Sequence, residues 1–474
     1  MSARARHFDA ILTTLALGAT LSACDLENPG SEAPVGSLYF PNALVISNET
    51  EGAPRFLFVA STNFDLRYTS GALHAFSLDA IDRRINECAV KDELGNDKLG
   101  AETCTVELAE ALADEVFIPT YATALAIDPD GKRIVVGSRT EERLTTVNVN
   151  LDADDGAFER VNPTSARVAS DLLGCESAQS RYCGTGTTNG VDVVTLDGLE
   201  QPQAISDLII GRLSELTGDP ADEQRDYVAT AHQRGAVSLY LDDDEDSLVL
   251  SSVIEGLGRT PTSIARDPIS GLFHVALRSN VLLRLGVTID TTSELAGASL
   301  YNATAVTLVG GTLSELRSIA FLKEPVGLGV AAGESQALII ANDPSALVLT
   351  NVTPGAGSSV SGRVQRVSEI GAGGARLALG SIGGRPLAAV TCLDGRSVYI
   401  VDLTSMETRA VVPNLSGPFG VAFDEARERL YATDFRSSVI RIVDLSQLAS
   451  PTAAPESVRV VATLGRPRVV QELK

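Results

Sequence analysis

The chain has 474 residues, 44% of them hydrophobic, and a formal net charge of −23. That length and apolar content support a large buried core and exclude global disorder, while the acidity repels phosphate backbones and argues against nucleic acid as a partner. With 41 Gly, no Trp and only 4 His, the composition suits many short strands and tight turns better than a helical bundle.

The first element is not part of a fold. Arg4 and Arg6 precede an apolar run, Ala10 to Ala19, that is too short to span a bilayer. "LSAC", Leu21 to Cys24, follows: a branched apolar residue, two small residues and a Cys. This stretch resembles the bacterial lipobox. The resemblance implies that residues 1–23 are a signal peptide, that Cys24 carries lipid, and that several acyl chains on one residue hold the protein at a membrane. Residues 24–37, rich in Pro, Gly, Ser and acids, read as a flexible tether. The expected location is the cell envelope, on the periplasmic side of either membrane or at the cell surface. Asp25 resembles an inner-membrane retention signal of enteric bacteria, but that rule differs between bacterial groups and does not choose a membrane.

Residues 38–474 repeat one pattern: an apolar run, a turn, a second apolar run, a polar corner, then a third run that often ends in Asp. In chain order the copies cover Phe40 to Asp79, Ala122 to Asp152, Ile205 to Asp242, Pro261 to Asp290, Leu316 to Val352, Ala375 to Thr404 and Val421 to Ser446. The third and fifth are degenerate. A fourth run follows several copies, as in "SLVLSSV", "AVTLVGG", "TRAVVPN" and "VRVVATL". Four antiparallel strands repeated at roughly 40–55 residues predict propeller blades, because one twisted sheet cannot bury both of its faces alone. "DPDG" (Asp128 to Gly131) and "DPISG" (Asp267 to Gly271) supply the turns, and Pro261 and Pro418 sit where a strand begins. The expected fold is therefore all-β: a single propeller of seven four-stranded blades, with six or eight left open by the degenerate copies.

The best copies resemble YVTN and NHL propeller repeats. With the lipobox, they resemble propeller lipoproteins of Gram-negative bacteria. "LYATD" and "LFVAST" are the nearest approaches to the repeat's signature.

Two segments interrupt the repeat, about 80–119 and 158–204. Each holds a pair of cysteines, Cys88 with Cys104 and Cys175 with Cys183. In an oxidising compartment, local pairing would staple each loop, worth on the order of 2–3 kcal/mol apiece. Glu107 to Glu115 has the pattern of a short helix, and Cys392, inside an apolar run, reads as a buried thiol.

Function is harder to read. The corners between second and third strands should ring the mouth of the central channel. From each copy they give Asn63, Arg139, His232, Arg278, Asp343, Asp394 and Asp434, a mixed set suited to a small polar ligand, a peptide or a divalent cation such as Ca²⁺. Turn preference alone also explains Asn and Asp at such positions. The leading expectation is a monomeric binding or scaffold module for an envelope protein or small polar ligand, with no obligatory cofactor and no assigned catalytic residue. The alternative is a metal-dependent, lactonase-like hydrolase or lyase, with Asn63, His232, Asp394 and Asp434 cast as ligands. A structural envelope component is a third reading, and fold does not choose among the three. "LDDDEDS" (Leu241 to Ser247) lacks the Gly and closing Glu of a calcium loop, and no HExxH, GxSxG or P-loop occurs.

Overall fold

The computed structural model describes residues 31–48, 52–88, 104–140, 144–151, 173–174, 204–242, 248–258, 260–290, 297–309, 313–327, 330–352, 361–450 and 458–468. Cys24 with its signal peptide, the Cys175 and Cys183 pair, and the "LDDDEDS" acids after Asp242 lie outside them.

Seven four-stranded antiparallel blades follow one another along the chain, spanning 41–118, 122–174, 205–254, 261–309, 314–369, 374–412 and 418–464. Each blade takes all four strands from one contiguous stretch. The first strand of each lies against the first strand of the next, and blade 7 returns to blade 1, so the seven first strands line a central channel. Blades 4 and 5 are also joined at their rims, where Thr307–Val309 pairs in parallel with 361–363.

The second strands explain why the ring forms. Phe56–Ser61 and Asp226–His232 are buried along their whole length. Such strands read as near-continuous apolar runs because both faces are covered. Accordingly the core is divided into interblade layers. Phe56 and Phe58 of blade 1 meet Ile134 and Val136 of blade 2. Tyr227 and Leu239 of blade 3 meet Phe273 and Val275 of blade 4. The closing layer has the same character: Leu57, Val59 and Phe76 of blade 1 meet Tyr431, Ile440 and Ile442 of blade 7.

A bulge recurs near the mouth end of all seven first strands, after Pro41, Ala122, Ile205, Pro261, Leu316, Gly374 and Pro418. A bulge re-aims one side chain out of the pleat. In blades 1 to 4 it turns that side chain toward the next blade. Asn42 Nδ2 donates to Ala122 O (3.1 Å), Thr123 Oγ1 to Ile205 O (2.8 Å), Ser206 Oγ to Pro261 O (3.0 Å) and Thr262 Oγ1 to Leu316 O (2.8 Å). Across the closing interface, Gly420 takes the place of a donor: a Cβ there would lie 2.5 Å from Asn42 O.

The segment after the third strand of blade 1 corrects the sequence-based boundary of 80–119. A helix, Leu78–Cys88, leaves the blade. Cys104–Val106 then pairs in parallel with Ala462–Leu464, the rim strand of blade 7. A single turn, Leu108–Ala111, leads back to Leu112–Ile118, which is the fourth strand of blade 1. Only that turn of the helix expected at Glu107 to Glu115 forms. The Cys88–Cys104 disulfide is present and ties the helix to the strand on blade 7. Arg427 and Arg429, on a turn of blade 7, hold the same helix: Arg427 Nε pairs with Asp82 at 2.7 Å, Arg427 also pairs with Asp79, and Arg429 pairs with Asp82. This excursion is a clasp across the interface between the last blade and the first. Cys392 is buried and unpaired, and burial pushes its thiol up to about 12.

Candidate ligand face at the channel mouth

At the mouth, in every blade but the fifth, where Pro344 has no N–H, the residue after the second strand donates its backbone N–H to the residue that leads into the first strand of the same blade. Thr62 donates to Phe40 O (3.3 Å), Arg139 to Tyr121 O (3.1 Å), Gln233 to Ala204 O (2.9 Å), Arg278 to Thr260 O (3.0 Å), Leu393 to Gly373 O (2.9 Å) and Phe435 to Gly417 O (2.9 Å). The lead-in residue is left-handed in four blades: Phe40 (φ 49°), Tyr121 (φ 55°), Ala204 (φ 64°) and Gly373 (φ 70°). Gly suits this conformation, and a side chain there costs about 1 kcal/mol or more. Blades 1 and 2 nevertheless place aromatic rings at it.

Those two rings meet two corner residues. Phe64 lies 6.2 Å from Phe40, 5.6 Å from Tyr121 and 5.3 Å from Phe435, and Phe40 lies 5.2 Å from Phe435, between ring centroids. Tyr121 Oη donates to Phe64 O at 2.9 Å. The four rings form a ledge across blades 7, 1 and 2. Phe64 is 51% exposed and neighbouring Leu66 is 57% exposed, so the ledge presents apolar surface to solvent.

Beside the ledge the mouth carries arginines together with acids. Arg376, on the first strand of blade 6, reaches across the channel to blades 2 and 3. Its guanidinium donates to Thr123 O (2.9 Å), Ser206 O (2.8 Å) and Asp207 Oδ1 (3.0 Å), and sits 5.6 Å from the ring of Phe419. Arg139 and Arg278 rise from the corners of blades 2 and 4 on either side. Enclosure by the mouth, then the charges of Arg376 and Arg278, hold the Arg139 guanidinium below its ordinary value. Corner arginines also occur at Arg67, Arg234, Arg396 and Arg436, so six of the seven corners carry one although the chain is strongly acidic.

The structure divides the seven residues chosen from sequence into two groups. Asn63, His232 and Asp434 are buried and used within their own blades. Asn63 Nδ2 donates to Tyr68 O (2.6 Å) and Oδ1 accepts from Tyr68 N (3.1 Å), closing the corner loop. His232 Nε2 lies 2.8 Å from Thr230 Oγ1 and 3.0 Å from Ser238 Oγ. Asp434 accepts from Ser416 N (2.8 Å) and from Arg441 Nε (3.1 Å) and Nη2 (3.0 Å). Arg139, Arg278, Asp343 and Asp394 are exposed at the mouth. The ligand set cast for a metal enzyme is not brought together: among the described residues, no three His, Cys, Asp or Glu side chains converge as a metal-holding group.

Sequence reasoning missed Phe64 and Phe435, each the immediate neighbour of a chosen residue. An aromatic in an otherwise polar corner was the available signal. It also missed Arg376, whose signal is a lone charge near the start of a channel-lining strand.

No protein-family model and no curated protein sequence matches the chain. Among solved structures, it is similar to Sqt1 of Chaetomium thermophilum (14% identity, covering 94% of this chain and 91% of that one, TM-score 0.48). It is also similar to hydrazine synthase of Kuenenia stuttgartiensis (12% identity, 88% and 98%, TM-score 0.47) and to the Cps50 (Swd1) β-propeller domain of Myceliophteria thermophila (10% identity, 85% and 96%, TM-score 0.46). The propeller assignment rests on the strand order and closure described above, and what those proteins do is not carried over.

Proposed function

We propose that the protein is a binding or scaffold module of the cell envelope, held at a membrane by lipid on Cys24, and that its recognition surface is the channel mouth. The observation that carries this reading is the aromatic ledge of half-buried Phe40, Tyr121 and Phe435 around exposed Phe64, two of whose rings occupy left-handed backbone positions. Strained residues that gather beneath one exposed apolar side chain point to recognition rather than packing. The partner is an envelope protein or a small polar ligand, and the module acts as a monomer. A cation-dependent hydrolase is the weaker reading, because a mouth lined with arginines repels a divalent cation.

The test is affinity capture from envelope extract with the full chain and with Phe64→Ser. Phe64 is half exposed, so the variant keeps its fold. The reading expects a specific captured species that Phe64→Ser loses at least tenfold. Equal recovery on both baits contradicts it. Separately, Cys24→Ser should move the protein from the membrane to the soluble envelope fraction; continued retention refutes the anchor.

A further inference from the structure

We infer that the corner of blade 1, with Phe64 and Leu66 at its tip, rests in the surface of the bilayer that holds the lipid of Cys24, so that the channel mouth is turned toward the membrane. This deepens the proposed envelope role by placing recognition at the bilayer surface, and it rests on the lipid anchor of that reading.

Residues 31–39 lie as a strap on blade 1. Ser31 N and Oγ donate to Arg67 O (3.0 and 3.2 Å), and Thr69 N donates back to Ser31 O (3.0 Å). Gly36 N donates to Glu115 Oε2 (2.6 Å) and Tyr39 N to Ser61 Oγ (3.3 Å). Ala33 and Tyr39 are buried with Ala72. The strap fixes where the anchor leaves the propeller. Ser31 comes seven residues after Cys24, and seven fully extended residues reach at most about 25 Å. Ser31 is bonded to the residue next to Leu66, so the acyl chains are held within that reach of this corner.

The corner presents apolar surface. It spans residues 62–70, the longest of the seven corners. Its base is closed by Asn63, whose side chain bonds the backbone of Tyr68, which leaves Phe64 to Arg67 as the tip. Leu66 is left-handed (φ 53°), a conformation in which Gly or Asn would serve a turn at less cost. Among the described residues, Leu66 and Val35, the latter on the strap, are the two most exposed large apolar side chains (57% and 55%). Phe64 lies two residues before Leu66 in the same tip. Exposed apolar side chains at a point of lipid attachment are a second membrane signal: the tether raises their effective concentration at the bilayer, so even a weak insertion persists. Arg67 pairs with Asp65 within the tip, and Glu32 is exposed on the strap. The tip therefore offers no net positive charge to anionic headgroups. The contact is apolar, neutral lipid suffices, and salt does not release it.

The chain has no Trp, so one introduced Trp reports alone. Leu66→Trp and, as a control, Ile269→Trp are purified as full chains and reconstituted in phosphatidylcholine vesicles with and without brominated acyl chains. Ile269 is similarly exposed (52%) but sits in the turn between the first and second strands of blade 4, at the end of the ring away from the mouth. Leu66→Trp emission should move to shorter wavelength on reconstitution and lose at least half its intensity to the brominated lipid, in low salt and in about 0.5 M salt alike. Ile269→Trp should do neither. Flotation with the vesicles reads the anchor independently. A chain that floats while Leu66→Trp is quenched no more than Ile269→Trp keeps its anchor and overturns the inference. A chain that does not float refutes the anchor, and the inference falls with it. A shift of Leu66→Trp emission that appears only when envelope extract is added assigns the corner to a protein partner and equally overturns the inference.

Discussion

Arg376 of blade 6 and Asp207 of blade 3 form an ion pair, 3.0 Å apart, across the central channel. Neither neighbours the other in the ring, so the pair links opposite walls. Both side chains are mostly enclosed, 18% and 17% exposed, and Arg376 has two further carbonyl acceptors.

Removing one partner should therefore cost more than a surface pair would. Arg376→Met is expected to destabilise by about 2–3 kcal/mol, because Asp207 and two carbonyls lose their donor. Asp207→Asn should cost less. A double-mutant cycle read by chemical denaturation should return a coupling of about 1–2 kcal/mol. Strict additivity would show that the pair does not form in solution.

The clasp makes a second prediction. The disulfide closes a 16-residue separation between Cys88 and Cys104. Its loss, by Cys88→Ala with Cys104→Ala or by reduction, should cost about 2–3 kcal/mol. Amide exchange should locate the damage: Leu78–Cys88 and Arg459–Leu464 should lose protection first, since they are the two ends of the clasp. Loss of protection that begins elsewhere would count against the clasp.

A third prediction concerns pH. Asp226 is buried between blades 2 and 3, where Arg212 Nη1 donates to it (3.0 Å) and Asp242 lies beside it. Burial, then the Asp242 charge, pushes the Asp226 carboxyl up to about 7. The folded chain thus keeps a proton, between roughly pH 4 and 7, that the unfolded chain has lost. Its contribution to stability is present at the acid end of that window and disappears as pH rises through about 7. Thermal midpoints should fall by about 2 °C between pH 5.5 and 8 from this group. Asp226→Asn should flatten that slope. An identical slope in the variant would reject the assignment.

The blades were legible because each copy carries its own turn chemistry, as at Asp128 and Asp267, whose carboxylates accept the N–H of Lys132 and Ile269 inside the turn. The rim strand Leu112–Ile118 was not legible. Asp114 and Glu115 interrupt its apolar pattern, and both are buried against distant partners, Leu173 N (2.9 Å) and Gly36 N (2.6 Å). The mouth was half legible for the same reason. Corner spacing brings Asn63 and Arg139 to one face, but whether a side chain closes its own loop or stays open to a ligand depends on partners such as Tyr68, which spacing does not reveal.

The most direct test of the closed ring is methyl–methyl NOE spectroscopy on selectively labelled protein. Val59 of blade 1 and Ile440 and Ile442 of blade 7 belong to one buried layer although almost the whole chain separates them. Closure predicts cross-peaks from Val59 to these isoleucines as strong as those between Leu73 and Ile134 across blades 1 and 2. Strong blade 1–2 cross-peaks with none to Ile440 or Ile442 would mean an open array of blades, with no channel and no mouth.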